Sequence, residues 1–313
     1  MRIGIVGAGA MGGLYGAFLA RAGYDVHFLM RRDYEAVKAS GLTVKSYKGD
    51  FHLDRVHCYR EPEEIGAVDL VFVGLKTTAN PHYPELISPL MGPDTRVLSA
   101  QNGLGNDDRL ADLFGAQRVA GGLAFLCSNR EAPGVIRHLD YGFFQAGNFQ
   151  RPPDQTLHTF ARMMQNAGVE CTLVDDLALT RWKKLIWNVP FNGLSALLDL
   201  TVDRIMEDTQ LHQRAWRLMK EVQAASRANG LNIDDGFLEY MMGLTVRMKP
   251  YHTSMHLDRQ RGNPMELEAI IGEPLRRGQQ HALHLPEMQV LYAGLKEIDQ
   301  AAVGGARHHR QDT

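Results

Sequence analysis

The stretch Gly7-Ala8-Gly9-Ala10-Met11-Gly12 constrains the fold of this chain more than any other. It follows a short apolar run, Ile3 to Val6, and leads into a helical pattern, Gly13 to Ala22. Strand, tight turn and helix in that order open a βαβ unit. The first glycine permits the turn, the second lets backbone approach a pyrophosphate, and the third lets helix and strand pack closely. The helix start also presents unpaired N–H groups to an anion. The pattern G-x-G-x-x-G recurs by chance, and a flexible turn without a ligand is the alternative. The strand before it and the helix after it favour dinucleotide binding. Ile3 to Ala20 also follows Arg2 as a signal peptide would, but six glycines and Arg21 break the apolar run.

The rest of the first half continues the rhythm of a doubly wound sheet. Apolar runs suited to buried parallel strands recur at Val26 to Leu29, Leu70 to Leu75 and Val97 to Ala100. A helix is predicted over Asp107 to Phe114, strands over Val119 to Phe125, Val135 to His138 and Phe143 to Ala146, then a helix over Gln155 to Ala167 and a strand over Glu170 to Val174. Beyond Asp176 apolar residues recur at three-and-four spacing, predicting helices over Leu177 to Leu198, Met206 to Asn229, Gly236 to Met248, Glu266 to Ala282 and Pro286 to Ala301. A chain of 313 residues exceeds the usual single core. The expected division is an α/β Rossmann domain over 1–176, an all-α domain over 177–303, and a polar, disordered tail over 304–313.

Charge and cysteine usage exclude several classes. The formal net charge of −2 offers no basic field for nucleic acid or an anionic membrane. Three scattered cysteines, with no C-x-x-C pair or His/Cys cluster at ligand spacing, predict no structural metal and a reducing, cytoplasmic setting. No other apolar run approaches the ~20 residues of a membrane span. The oligomeric state is left open, a homodimer included.

The end of the second strand bears on cofactor choice. An acidic residue there would bind a ribose 2′-hydroxyl, whereas arginine accommodates a 2′-phosphate. Val26 to Leu29 runs through Met30 into Arg31 and Arg32, with Asp33 after them, which favours NADP(H). The alternative is a solvated basic turn with Asp33 in the NAD role. Lys76 and Asn102-Gly103 follow two further strands, at the edge where ligands bind in open α/β sheets. In the second half Lys184, Asn188 and Asn192 fall at four-residue steps, on one face of a helix. A solvated polar stripe is the plain alternative, which the surrounding Trp182, Trp187 and Phe191, with Pro190 inside the helix, argue against.

Taken together, Gly7 to Gly12, Arg31, Leu75-Lys76, Gln101-Asn102-Gly103, Lys184-x-x-x-Asn188-x-x-x-Asn192, Ser254 and Met265-Glu266-Leu267, with Gly272 and Pro286 in register, resemble the ketopantoate reductase (2-dehydropantoate 2-reductase) family over nearly the whole chain. The resemblance implies a Rossmann domain, a helical domain of the 6-phosphogluconate dehydrogenase C-terminal type, and a site in the cleft between them. It implies that Lys184 is the catalytic lysine and Glu266 a glutamate near nicotinamide, lysine and substrate. Asn188, Asn192 and Ser254 correspond to substrate-binding residues, and Asn102 to an asparagine between substrate and cofactor. Arg31 corresponds to the 2′-phosphate ligand and Lys76 to another cleft residue. Glu221 falls near a family carboxylate but reads as a solvated mid-helix glutamate. Some members carry one more substrate-binding asparagine where this chain reads Leu200-Thr201-Val202-Asp203.

The activity so implied is NADPH-dependent reduction of 2-dehydropantoate to (R)-pantoate, a step towards pantothenate and coenzyme A. Two other readings remain: a paralogous reductase of another small branched 2-keto acid, and a non-catalytic NADP sensor, against which the presence of both Lys184 and Glu266 weighs.

Overall fold

The computed structural model describes residues 1–248 and 250–308, with side chains as far as Ala301. The chain forms two compact units, one of Met1–Gln101 with Asn106–Leu177, the other of Asn102–Gly105 with the residues from Ala178 onward.

The first unit runs β1 (Ile3–Val6), α1 (Ala10–Arg21), β2 (Val26–Leu29), α2 (Tyr34–Ser40), β3 (Leu42–Ser46), β4 (Phe51–Leu53), β5 (His57–Tyr59), β6 (Val68–Val73), α3 (Tyr83–Ile87), β7 (Met91–Ser99), α4 (Asn106–Phe114), β8 (Val119–Ala132), β9 (Val135–Asn148), α5 (Gln155–Asn166) and β10 (Cys171–Leu173). The sheet order is β4-β3-β9-β8-β7-β6-β1-β2-β5, with β10 also on β9. From β8 to β5 every pairing is parallel. That stretch has the strand order of a Rossmann fold, reversing direction at β1. The strands read as unbroken apolar runs because both faces are covered, and successive side chains go to opposite faces. Ile3, Ile5, Leu70 and Phe72 pack with Tyr15 and Phe18 of α1 and Phe160 of α5. Val6, Val71 and Val73 pack with Tyr83 and Ile87 of α3 and Leu110 of α4. Each such side chain contributes roughly 1.5–3 kcal/mol on burial.

Two features differ from the sequence expectation. The strands predicted over Val119 to Phe125, Val135 to His138 and Phe143 to Ala146 are parts of one long antiparallel hairpin, β8 and β9, each 14 residues. The far end of β8 is half-buried to exposed and that of β9 alternates buried and exposed residues, so neither shows the continuous apolar run of a strand covered on both faces. The elements α2, β3, β4 and β5 fill a region that the sequence reading leaves blank.

The second unit is helical: α6 (Leu177–Leu198), α7 (Val202–Glu207), α8 (Thr209–Ala228), α9 (Asp235–Val246), α10 (Ser254–Gln260), a π-helical turn (Glu268–Gly272) leading into α11 (Glu273–Gln279), and α12 (Pro286–His308). Its core gathers Trp182, Ile186 and Phe191 of α6 with Leu218 and Val222 of α8, Ile270 of the π turn and Leu291 of α12, and takes in Leu104 from the four-residue loop. The single helix predicted over Met206 to Asn229 divides at Asp208, whose carboxylate accepts from the Gln210 and Leu211 N–H groups at 2.8 and 3.0 Å. A side-chain cap of this kind starts a new helix. The last helix continues past Ala301 to His308, so 304–308 of the expected tail are helical, and 309–313 lie outside the described residues. Glu221 is not a solvated glutamate. From α8 it accepts the Glu287 and Met288 N–H groups at 2.9 and 2.8 Å, capping α12, and burial pushes its carboxyl pKa up.

Candidate active site

The glycine loop occupies the C-terminal edge of the parallel sheet at its reversal point. Register places Val6 of β1 beside Leu29 of β2 and Val73 of β6, so Gly7, Met30-Arg31 and Gly74-Leu75-Lys76 leave three adjacent strands at the same edge. The helix α1 starts at Ala10, earlier than predicted, with Gly9 as its cap, no acidic residue in its first turn and no side-chain cap. The Ala10, Met11 and Gly12 N–H groups therefore lie in the unpaired first turn. Gly7 has φ +96°, and a Cβ there would run into the Gly74–Leu75 backbone, while one on Gly12 would run into the Gly7 carbonyl. These two glycines are needed by the protein's own packing. Gly9 differs: a Cβ there would meet nothing within 4 Å. The open space above it fits the close approach of a phosphate.

Beyond β2, Arg31 and Arg32 are exposed and make no hydrogen bond or ion pair among the described residues. Asp33, two residues from Arg31, is engaged: Arg130 on β8 donates Nε to both its oxygens, at 2.7 and 2.8 Å, and an Nη to one of them. On the other side of the loop Lys76 is exposed and precedes a short 3₁₀ turn, Thr77–His82.

The remaining candidates lie in the second unit. From α6, Lys184 Nζ donates to Asn102 Oδ1 at 2.9 Å, and Asn102 Nδ2 donates to Glu266 Oε2 at 3.4 Å. Asn102 therefore links ammonium and carboxylate. The loop Asn102–Gly105 is fixed to the π turn, where the Ala269 carbonyl accepts from the Leu104 N–H at 2.9 Å. Gly103, at φ +81°, lies so close that a Cβ would run into that carbonyl. Burial pushes the Lys184 pKa down to about 7, helped by Arg181 one turn earlier on α6 and opposed by the Glu266 carboxylate. Glu266 and Arg181 are each only 4% exposed.

Asn188 and Asn192 continue the Lys184 face, as their spacing predicts. They are 6% and 4% exposed, and neither side-chain amide makes a hydrogen bond among the described residues. Their amide atoms are not among the fully enclosed unpaired side-chain atoms, so their donors and acceptors are open to a partner from outside the chain. Pro190 lies between them inside α6 and cannot donate to the Ile186 carbonyl. Ser254 is half-buried at the first position of α10. That helix is tied to the end of α6 by His256, which bonds Ser195 Oγ at 3.2 Å and Asp199 Oδ1 at 2.6 Å, and by Arg259 on the Ala196 carbonyl at 2.5 Å. The residues 200–203, where a further asparagine would stand, include the fully buried Val202.

Two residues were missed by sequence reasoning. Arg181 was legible, since it lies three residues before Lys184 on the same helix face. Arg130 was not, because 97 residues separate it from Asp33. Among the described residues no cluster of His, Cys, Asp or Glu is placed to hold a metal, and no helix is long and apolar enough to cross a membrane.

Comparison with known proteins identifies the family. Residues 3–151 match the family described as Ketopantoate reductase PanE/ApbA, and residues 176–299 match its C-terminal part. The 2-dehydropantoate 2-reductase of Nostoc sp. (strain PCC 7120) is 43% identical over 300 residues, 94% of each chain. The crystal structure of 2-dehydropantoate 2-reductase from Geobacter metallireducens GS-15 superposes with TM-score 0.93 at 48% identity, covering 95% of this chain and 99% of that one. That from Methylococcus capsulatus gives 0.90 at 31% identity, covering 96% and 98%. With the Rossmann strand order, the helical second unit and relatives matched over nearly their full length, the chain belongs to the ketopantoate reductase family.

Proposed function

We propose that the protein reduces 2-dehydropantoate to (R)-pantoate with NADPH, in the route to pantothenate and coenzyme A. One observation carries the reading: a half-buried ammonium, Lys184, is held by Asn102 beside Glu266, with the Asn188 and Asn192 amides, which make no hydrogen bond among the described residues, along the same helix. When bound, NADPH supplies the hydride that the keto carbon takes up. Negative charge then develops on the keto oxygen, and Lys184 stabilises it and transfers a proton from Nζ to that oxygen, leaving an alcohol and a neutral amine. A positioned general acid of this kind contributes about 10²–10⁴-fold. Asn102 orients the ammonium, and Glu266 raises its pKa and so favours the proton-bearing form. Asn188, Asn192 and Ser254 offer donors and acceptors to the substrate carboxylate and hydroxyl. Toward the cofactor, the α1 N-terminus and the open face at Gly9 suit the pyrophosphate, Arg31 suits the 2′-phosphate, and Lys76 is a further cofactor-binding residue at the same sheet edge.

A second reading, another small branched 2-keto acid, is favoured by the segment Leu200-Thr201-Val202-Asp203, which lacks the further amide of some relatives. Initial rates of NADPH and NADH oxidation over a panel of 2-keto acids test both readings. The expected result is highest kcat/KM for ketopantoate, with NADPH preferred over NADH. A different keto acid in first place supports the second reading. No turnover with any would leave the NADP sensor, and equal efficiency with both cofactors would overturn the NADPH assignment.

A further inference from the structure

The pair Arg130–Asp33 stands where the family reading puts the 2′-phosphate, yet the reduction itself does not need it. Asp33 is the acidic residue nearest the end of β2, where a carboxylate would take a ribose 2′-hydroxyl. Its side chain is 13% exposed, against 35% for Arg130, so the carboxylate is the more enclosed partner. Both its oxygens face the guanidinium, whose planar fork matches a carboxylate in this way. The Asp33 side chain does not cap α2, although Asp33 stands at the cap position and aspartate is favoured there. The carboxylate is thus turned towards β8 at the expense of a local bond. The same strand also reaches the glycine loop, since Ser128 Oγ donates to the Ala10 carbonyl at 3.2 Å, two residues before Arg130. One strand end therefore holds both the start of α1 and the acidic residue after β2.

We propose that Arg130 is a specificity-determining residue, which withholds the Asp33 carboxylate from the nucleotide and so leaves Arg31 and Arg32 to select a 2′-phosphate. This rests on the reading of the β2 end as the 2′-phosphate site. Without Arg130, an unpaired carboxylate two residues from Arg31 repels a phosphate dianion and accepts a hydrogen bond from a 2′-hydroxyl. Selectivity is a difference between two affinities, and the pair acts on both.

Isothermal titration of the full-length protein with 2′,5′-ADP and with 5′-AMP tests this without any turnover. The wild type is expected to bind 2′,5′-ADP more tightly. Arg130→Met should lower the ratio of the two affinities about tenfold or more, as expected for a bare charge near the phosphate. Asp33→Asn added to Arg130→Met should restore the ratio to within about threefold of wild type if the two residues act only through each other. Arg130→Gln, which retains a long polar side chain, replaces Arg130→Met if thermal melts show that variant unfolded. An unchanged ratio in the Arg130 variant, or no restoration in the double variant, overturns the inference while the 2′-phosphate reading stands. No discrimination by the wild type itself overturns both.

Discussion

Lys184 carries a charge in surroundings that disfavour it, and that tension has two measurable consequences. Its pKa of about 7 comes first from burial and second from Arg181, against the pull of Glu266. Only the ammonium form donates a proton, so kcat/KM for the keto acid should fall as pH rises through about 7. Glu266→Gln removes the opposing carboxylate and should shift that falling limb to lower pH. A limb that stays in place would show that Glu266 does not act on the lysine. The second consequence concerns stability. Between about 7 and the ordinary 10.5 the folded chain holds less of this proton than the unfolded chain, so the Lys184 contribution improves with rising pH across that window and is least favourable below it. Lys184→Met should therefore raise stability at pH 7 by roughly 1 kcal/mol, discounted for partial exposure, while kcat drops about 10²–10⁴-fold. Melting curves and initial rates on one preparation check both. The residue type and four-step spacing of Lys184, Asn188 and Asn192 were legible in the sequence. That Asn102, 82 residues earlier, meets the lysine was not legible, since no local pattern encodes so distant a bond and the family resemblance places Asn102 only between substrate and cofactor.

At the scale of elements, the π turn Glu268–Gly272 and the loop Asn102–Gly105 are built on each other. Gly103 and Gly105 have nearly the same φ, +81° and +82°, but differ in surroundings. A Cβ on Gly105 would meet Glu273 at an ordinary 3.5 Å, whereas one on Gly103 would strike the Ala269 carbonyl. Gly105→Ala should cost about 1–2 kcal/mol of backbone strain and leave kcat within about twofold. Gly103→Ala should cost more, roughly 3 kcal/mol, and lower kcat by moving Asn102 away from Lys184. Equal effects of the two substitutions on kcat would show that this loop does not position Asn102. Legibility at this scale followed burial. Strands covered on both faces, such as Ile3–Val6 and Val26–Leu29, and the amphipathic α6 showed plainly. Short edge strands such as His57–Tyr59, with one buried residue in three, have too little pattern to read. The π turn is hidden inside an ordinary helical period.

At the scale of the molecule, the candidate residues divide by unit. The glycine loop, Arg31 and Lys76 belong to the first, and Lys184, Asn188, Asn192, Ser254, Glu266 and Asn102 to the second. Losses in the two sets should be separable in kinetics. On the proposed function, Asn192→Ala would leave a substrate oxygen without its partner, at about 1–3 kcal/mol, so KM for the keto acid should rise about tenfold. KM for NADPH and kcat should change little. A variant that instead loses NADPH affinity and keeps its keto acid KM would move Asn192 out of the substrate site.

The division also constrains how such a chain can be rearranged by recombination. A crossover at residue 177 would import a lysine, a glutamate and the amides from one parent while retaining the asparagine between them from the other. A four-residue segment encoded far upstream must then fit a helical unit it did not evolve with. Chimeras that exchange residues 102–105 together with everything after Leu177 keep the bridging asparagine with its own partners, and single-crossover hybrids do not.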